Sequence, residues 1–218
     1  MATTKRSEPF TYVTWITGLL SGEKHCGWCP WLLSHFKIVK RPRTMDLAQW
    51  TADHAKLVAA TVTDLLEDGW DCQVEDQNYF KLRGEQTTLA GKPDIIATRP
   101  DKDLVKVVDC KTGRERDSDY QQVLIYMFAL PVVRPELKNR RIAGALVYRD
   151  RTTEIAPEEL NAETRTAILA RIREAGGPTP PRRVPSASEC RFCDVTAVDC
   201  PDRIEPEKID KATATTLF

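Results

Sequence analysis

Pro93-Asp94 opens the run DIIAT (94–98), and the run LVKVVDCK (104–111) closes on Asp109-Cys110-Lys111. Both are rich in β-branched residues and are separated by the turn-like RPDKD, so they read as neighbouring strands. Side chains alternate along a strand, which puts Asp109 and Lys111 on one face with Val105 and Val107. A carboxylate and an ammonium are costly to bury there unless they have partners or work. Asp94, at the start of the adjacent strand, sets a second carboxylate beside Asp109. Two carboxylates that close repel, and a divalent cation relieves the repulsion. Hard oxygen donors favour Mg²⁺ or Mn²⁺. The chemistry this points to is metal-assisted phosphodiester hydrolysis, in which the metal polarises the phosphate and lowers the pKa of a bound water. Lys111 would orient that water or stabilise developing charge. The competing reading of D-x-K alone is a surface ion pair, worth at most ~1 kcal/mol.

Two further stretches fall in line with these. Residues 46–68 read as a helix, since Leu47, Trp50, His54, Leu57, Thr61 and Leu65 recur at steps of three and four. Asp46 suits its N-terminus and Gly69 its stop. His54 sits on the apolar face, where a core histidine is the plainer alternative. After the D-x-K strand, Asp117 or Ser118 is expected to cap a helix through Leu130 that Pro131 ends. Gln122 and Tyr126 are i,i+4 on that helix and point the same way.

Seven cysteines form a second constellation: Cys26, Cys29, Cys72, Cys110, Cys190, Cys193 and Cys200. An odd count excludes full disulfide pairing within one chain. Cys190-x2-Cys193-x6-Cys200-Pro places three thiols in one Pro-flanked loop, and Cys26-x2-Cys29-Pro lies near the other end. Clustered cysteines without an export signal more often bind metal. Four thiolates suit zinc, which prefers two C-x2-C knuckles, or a [4Fe–4S] cluster, which would use Cys200 and leave Cys26 spare. Spacing alone leaves both open. Cys72 and Cys110 read as structural thiols, with Cys110 facing away from Asp109 and Lys111.

The elements needed to position these residues are legible in outline. Segment 72–83 reads as a strand, Ile142–Tyr148 as another, and 157–175 as an amphipathic helix closed by Gly176-Gly177. The order helix, strands, helix, strand, helix makes a mixed α/β core. With 41% hydrophobic residues the chain can bury a core, which excludes a wholly disordered protein. No apolar run approaches the ~20 residues of a membrane span. The opening MATTKRSEPF lacks the apolar stretch of a secretory signal, so a cytoplasmic location is expected. No phosphate-binding G-x-x-x-x-G-K-[ST] motif is present, so no helicase motor is expected. Lys+Arg and Asp+Glu number 32 each, a neutrality that argues against a uniformly basic nucleic-acid binder. It hides an asymmetry. Residues 1–43 hold seven basic and two acidic side chains, and residues 44–75 hold seven acidic and one basic. Lys37, Lys40, Arg41 and Arg43 would track a phosphate backbone, alongside Lys24. Trp28, Trp31 and Phe36 would either stack bases or pack around the cysteines, and packing is preferred.

The ordered set of the helical His54, GKPDIIA, VVDCKTG and QQVLIYMFAL resembles the PD-(D/E)xK nuclease superfamily, and within it the RecB-like branch. The resemblance covers roughly residues 46–130. It implies a restriction-endonuclease-like α/β core, a mixed central sheet flanked by helices. It implies that His54, Asp94, Asp109 and the backbone carbonyl of Cys110 bind Mn²⁺ or Mg²⁺. Lys111 would be the catalytic lysine, with Gln122 and Tyr126 holding DNA or the active site. One-plus-three cysteines around such a core resemble the iron–sulfur nucleases, including the CRISPR-associated Cas-four exonucleases. In those families the N-terminal ligand commonly stands before proline, which implies Cys29, Cys190, Cys193 and Cys200 as ligands of a structural [4Fe–4S] cluster, with zinc the alternative. The division expected is an N-terminal basic cluster-binding arm (1–45), a nuclease core (46–156), and a C-terminal helix with the cysteine loop (157–218). The activity implied is a DNA exonuclease on single strands or ends, with CRISPR integrase proteins as partners in spacer acquisition. A non-catalytic DNA-end-binding module of the same fold is the alternative, as is a zinc-stapled nuclease.

Overall fold

In a computed structural model the described residues are 3–42, 46–99, 101 and 103–205. In chain order the elements are β1 (Thr4–Lys5), β2 (Phe10–Tyr12), α1 (Val13–Leu20), α2 (Trp28–His35), β3 (Phe36–Lys37), α3 (Leu47–Glu67), β4 (Asp71–Val74), β5 (Phe80–Arg83), β6 (Thr88–Gly91), β7 (Ile95–Arg99) and β8 (Leu104–Lys111). They continue with α4 (Asp117–Val133), β9 (Arg141–Tyr148), β10 (Thr152–Ile155), α5 (Ala162–Gly176) and α6 (Ala187–Phe192).

The main sheet runs β10-β9-β8-β7-β4. Only the β8–β9 pair in it is parallel, and the rest are antiparallel. This is the mixed sheet flanked by helices that the sequence leads one to expect. Period-two alternation divides its two faces. Val105 and Val107 of β8 pack in a core with α1, α4 and α5, while Val108 and Cys110 pack in a second core with Val58 and Leu65 of α3. Helix α3 starts where Asp46 accepts a hydrogen bond from the Gln49 N–H and stops before Gly69, whose φ of +80° is the left-handed turn glycine permits.

Several local readings are corrected. Segment 72–83 is two strands in two sheets, β4 and β5, broken by a 3₁₀ turn over Glu75–Asn78. Glu75 at φ +44° turns the chain out of the first sheet. Pro131 does not end α4. It lies in the last turn, where it removes one backbone donor, and the Arg134 N–H still reaches the Leu130 carbonyl. The stop falls instead on extended Arg134, which precedes Pro135. The 157–175 segment is a 3₁₀ turn followed by α5, capped by Asn161. The N-terminal residues carry regular structure: β2 joins β6 and β5 in a three-stranded sheet, and Val13 and Ile16 of α1 are fully buried in the core with α4. No helix of the described residues is long and apolar enough to cross a membrane.

Candidate active site

Sheet and helices bring the D-x-K strand, the PD strand, α3 and α4 to one open cavity of about 770 Å³. His54, Asp94, Asp109, Cys110, Lys111, Gln122 and Tyr126 all line it. Asp94 precedes β7 and turns its carboxylate across to β8, where its Oδ2 accepts the Cys110 N–H at 2.7 Å and meets His54 Nε2 at 3.2 Å. The PD turn is itself held from below. Buried Asn78 donates through Nδ2 to the carbonyls of Gln73, Pro93 and Asp94. The break at residues 75–78 thus supports Asp94, a role the sequence reading missed. The motif signal for it was weak, a lone Asn in EDQN.

Asp109 is 2% exposed. Its Oδ1 accepts from Gln122 Nε2 at 3.1 Å. Its Oδ2 lies 2.6 Å from Lys111 Nζ but outside hydrogen-bonding geometry, so that contact is ionic. Burial pushes the carboxyl up to about 6, against the lowering effect of the Lys111 charge. Lys111 is shifted up: burial works to lower it, but Asp109, Asp119 and Asp94 outweigh that. It therefore stands as an ammonium at neutral pH. Gln122 is fixed from both ends of its amide. Its Oε1 accepts from Lys111 at 3.0 Å, and its Nε2 donates to Asp109 and to the Tyr126 hydroxyl at 2.8 Å. Tyr126 in turn donates to the Lys92 carbonyl. A hydrogen bond to Asp94 raises the His54 pKa, and Trp50 stacks on the ring with centroids 5.3 Å apart.

The donor set is an imidazole and two carboxylates, one of them with a buried oxygen that makes no hydrogen bond. That is chemistry suited to a hard divalent cation. Among the described residues no three His, Cys, Asp or Glu side chains already stand grouped as metal ligands. In their place are direct pairs, His54 with Asp94 and Lys111 with Asp109.

The cysteines divide as their positions suggest. Cys110 turns away from the cavity's carboxylates, its Sγ 3.7 Å from Thr61 Oγ1, and burial pushes its thiol up to about 12. Cys26, Cys29, Cys190, Cys193 and Cys200 line a separate cavity of about 390 Å³. Within it the Cys29 and Cys193 thiols are close enough to share a proton through hydrogen bonding. That interaction raises Cys29 well above its usual range and lowers Cys193 to about 6. The N-terminal and C-terminal segments are tied here by Glu189, which accepts the N–H groups of His25 and Cys26, while Arg203 holds the C-terminal loop together, its guanidinium binding carbonyls of Cys190, Cys193 and Val195. Trp31 packs against Val195 and Cys200, with Trp28 and Phe36 against that cluster, so the packing reading of these aromatics holds. Of the expected phosphate-tracking residues, Lys37 is exposed, Lys40 pairs with Asp194, and Arg41 donates to the Arg191 carbonyl. Arg43 lies outside the described residues.

No curated protein matches the chain. A solved structure described as "Crystal structure of SSO0001" is 17% identical, covers 92% of this chain and 90% of its own, and superposes with a TM-score of 0.43. A family model for the PD-(D/E)XK nuclease superfamily matches residues 27–201. That span takes in Asp94, Asp109 and Lys111 together with Cys29, Cys190, Cys193 and Cys200, and by it the chain belongs to the PD-(D/E)XK nuclease superfamily.

Proposed function

We propose that this chain is a divalent-metal-dependent DNA exonuclease of the RecB-like branch, carrying a structural [4Fe–4S] cluster. The observation that carries the reading is the convergence on one cavity of His54, Asp94, Asp109, Lys111, Gln122 and Tyr126. His54, Asp94, Asp109 and the Cys110 carbonyl would hold Mn²⁺ or Mg²⁺. When bound, such an ion supplies charge for the scissile phosphate and a more acidic water. Lys111 contributes a fixed positive charge at the cavity, where the phosphate gains negative charge in the transition state. Gln122 holds that ammonium and the Asp109 carboxylate in register, and Tyr126 keeps the amide from turning over.

The cluster reading is supported by Cys29, Cys190, Cys193 and Cys200 sharing one cavity. The cluster would staple the two chain ends. Because Cys26 lines the same cavity, a zinc site built on two C-x2-C pairs is the second reading. Iron and sulfide analysis of anaerobically purified protein decides between them, and a colourless protein with stoichiometric zinc would refute the cluster. The resemblance to the Cas-four exonucleases supports a role in CRISPR spacer acquisition with integrase proteins.

The test of the exonuclease assignment compares linear, end-labelled single-stranded DNA with a closed single-stranded circle in Mn²⁺. The linear strand should be degraded while the circle survives. Equal loss of both would make the enzyme an endonuclease.

A further inference from the structure

The rim of the nuclease cavity has an unusual composition. Four large aromatics are exposed among the described residues, and three of them, Tyr12 at 40%, Trp50 at 43% and Tyr79 at 42%, line this one cavity. Exposed rings of this size are costly to leave in water and are often functional where they cluster. Nor do they lie apart. Tyr79 and Tyr12 line the cavity as neighbours, near enough that Tyr12, after burial, raises the Tyr79 hydroxyl above its usual range. Tyr12 meets Trp15 edge to face at 5.1 Å. Trp15 faces the second cavity, and Thr14 lines both cavities, so the two open side by side. Cations flank the row. Lys81 Nζ is 5.8 Å from the Tyr79 ring, and Lys40 Nζ is 5.9 Å from Trp15. Lys40 also pairs with Asp194, so Lys81 is the less encumbered of the two.

A row of rings with flanking ammonium groups, continuous with a nuclease cavity, is what an unpaired strand needs: faces for bases and charge for phosphates. Duplex DNA keeps its base faces inside the helix and cannot use the rings. We infer that Tyr79, Tyr12 and Trp15 form a base-stacking track that carries single-stranded DNA away from the nuclease cavity, with Trp50 stacking at the cavity itself. This rests on the nuclease reading for the identity of the strand as DNA. What it adds is the identity of the residues that hold the unpaired strand.

The test reads binding, not cleavage, so that the two readings fail separately. The chain of residues 1–218 is titrated in Ca²⁺, by fluorescence anisotropy, against a labelled oligothymidylate, an abasic strand of equal length and a blunt duplex. The thymidylate should bind most tightly. The Tyr12→Ala/Tyr79→Ala variant should lose at least about fivefold in affinity for it and keep its affinity for the abasic strand. The Tyr12→Phe/Tyr79→Phe variant, with both rings intact, should bind as wild type does. Equal binding of thymidylate and abasic strands, or an equal loss on both in the alanine variant, would overturn the track. If wild type binds the strand selectively but cleaves nothing with any divalent ion, the track stands and the exonuclease reading falls.

Discussion

At the scale of single residues the site is a set of buried charges that pair with one another. Asp109 is the clearest case, its pKa raised by burial to about 6 from an ordinary 3.8. A folded pKa above the unfolded one means that the protonated carboxyl contributes stability in full below pH about 4. That contribution is lost as pH rises through about 6. The difference is on the order of 3 kcal/mol. Metal-free wild type should therefore lose melting temperature relative to Asp109→Asn between pH 4 and pH 7, and Mn²⁺ at pH 7 should recover most of the gap. A gap that does not widen with pH would show that Asp109 is not ionised against its surroundings. Gln122 gives a second expectation. Gln122→Ala leaves Asp109 Oδ1 and Lys111 without their shared partner, whereas Tyr126→Phe removes only the brace behind the amide. Cleavage rates should fall more in Gln122→Ala. Each variant should also lose roughly 1–3 kcal/mol of stability in urea titrations, the cost of stranding buried polar groups.

At the scale of elements, β8 and α4 carry the site, and glycines set how closely their neighbours approach. A Cβ on Gly91 of β6 would stand 2.7 Å from the Tyr126 ring and 2.8 Å from Phe80. A Cβ on Gly144 of β9 would stand 2.4 Å from Val123 of α4. Gly91→Ala and Gly144→Ala should each cost about 1–3 kcal/mol through overpacking. Only Gly91→Ala pushes directly on Tyr126, so it should slow cleavage more for the same stability loss, as paired urea and rate measurements would reveal. These close approaches could not be read in the sequence, since a glycine shows no partner until the sheet is assembled. Strands β7, β8 and β9 and helix α3 were legible because their periodicity is undisturbed. Strands β4 and β5 were not, because the turn between them rests on the backbone of Glu75 and the buried amide of Asn78 rather than on Gly or Pro. Helix α4 was mis-ended because proline in a last turn costs one hydrogen bond and leaves the helix otherwise intact.

At the scale of the molecule, zero net charge turns out to be a sum over unlike parts. The acidic side chains include two at the floor of the cavity, while lysines flank the aromatic rim. The motif residues His54 through Tyr126 were legible because each is bound to a strand or helix with a clear pattern. The rim was not, because Tyr12 and Tyr79 come from β2 and from the turn before β5, which meet only through the second sheet. The cysteines were legible as a group. Their cavity lies where Glu189 and Arg41 already tie the chain ends. If the proposed cluster is bound, Cys193→Ser should bleach its brown colour and lower the melting temperature, while far-ultraviolet circular dichroism keeps its shape. Unchanged colour and iron content would remove Cys193 from the ligand set.

The most direct measurement of the central claim is the rate of degradation of end-labelled single-stranded DNA in Mn²⁺ by wild type, Asp109→Ala and Lys111→Ala, each also with excess chelator. Wild type should cleave, and chelator should abolish cleavage. Both variants should fall by at least about 100-fold, the scale of removing a group that stabilises transition-state charge, while remaining folded by circular dichroism. Cleavage by either variant at the wild-type rate, or cleavage that survives chelation, would contradict a metal-dependent nuclease built on these residues.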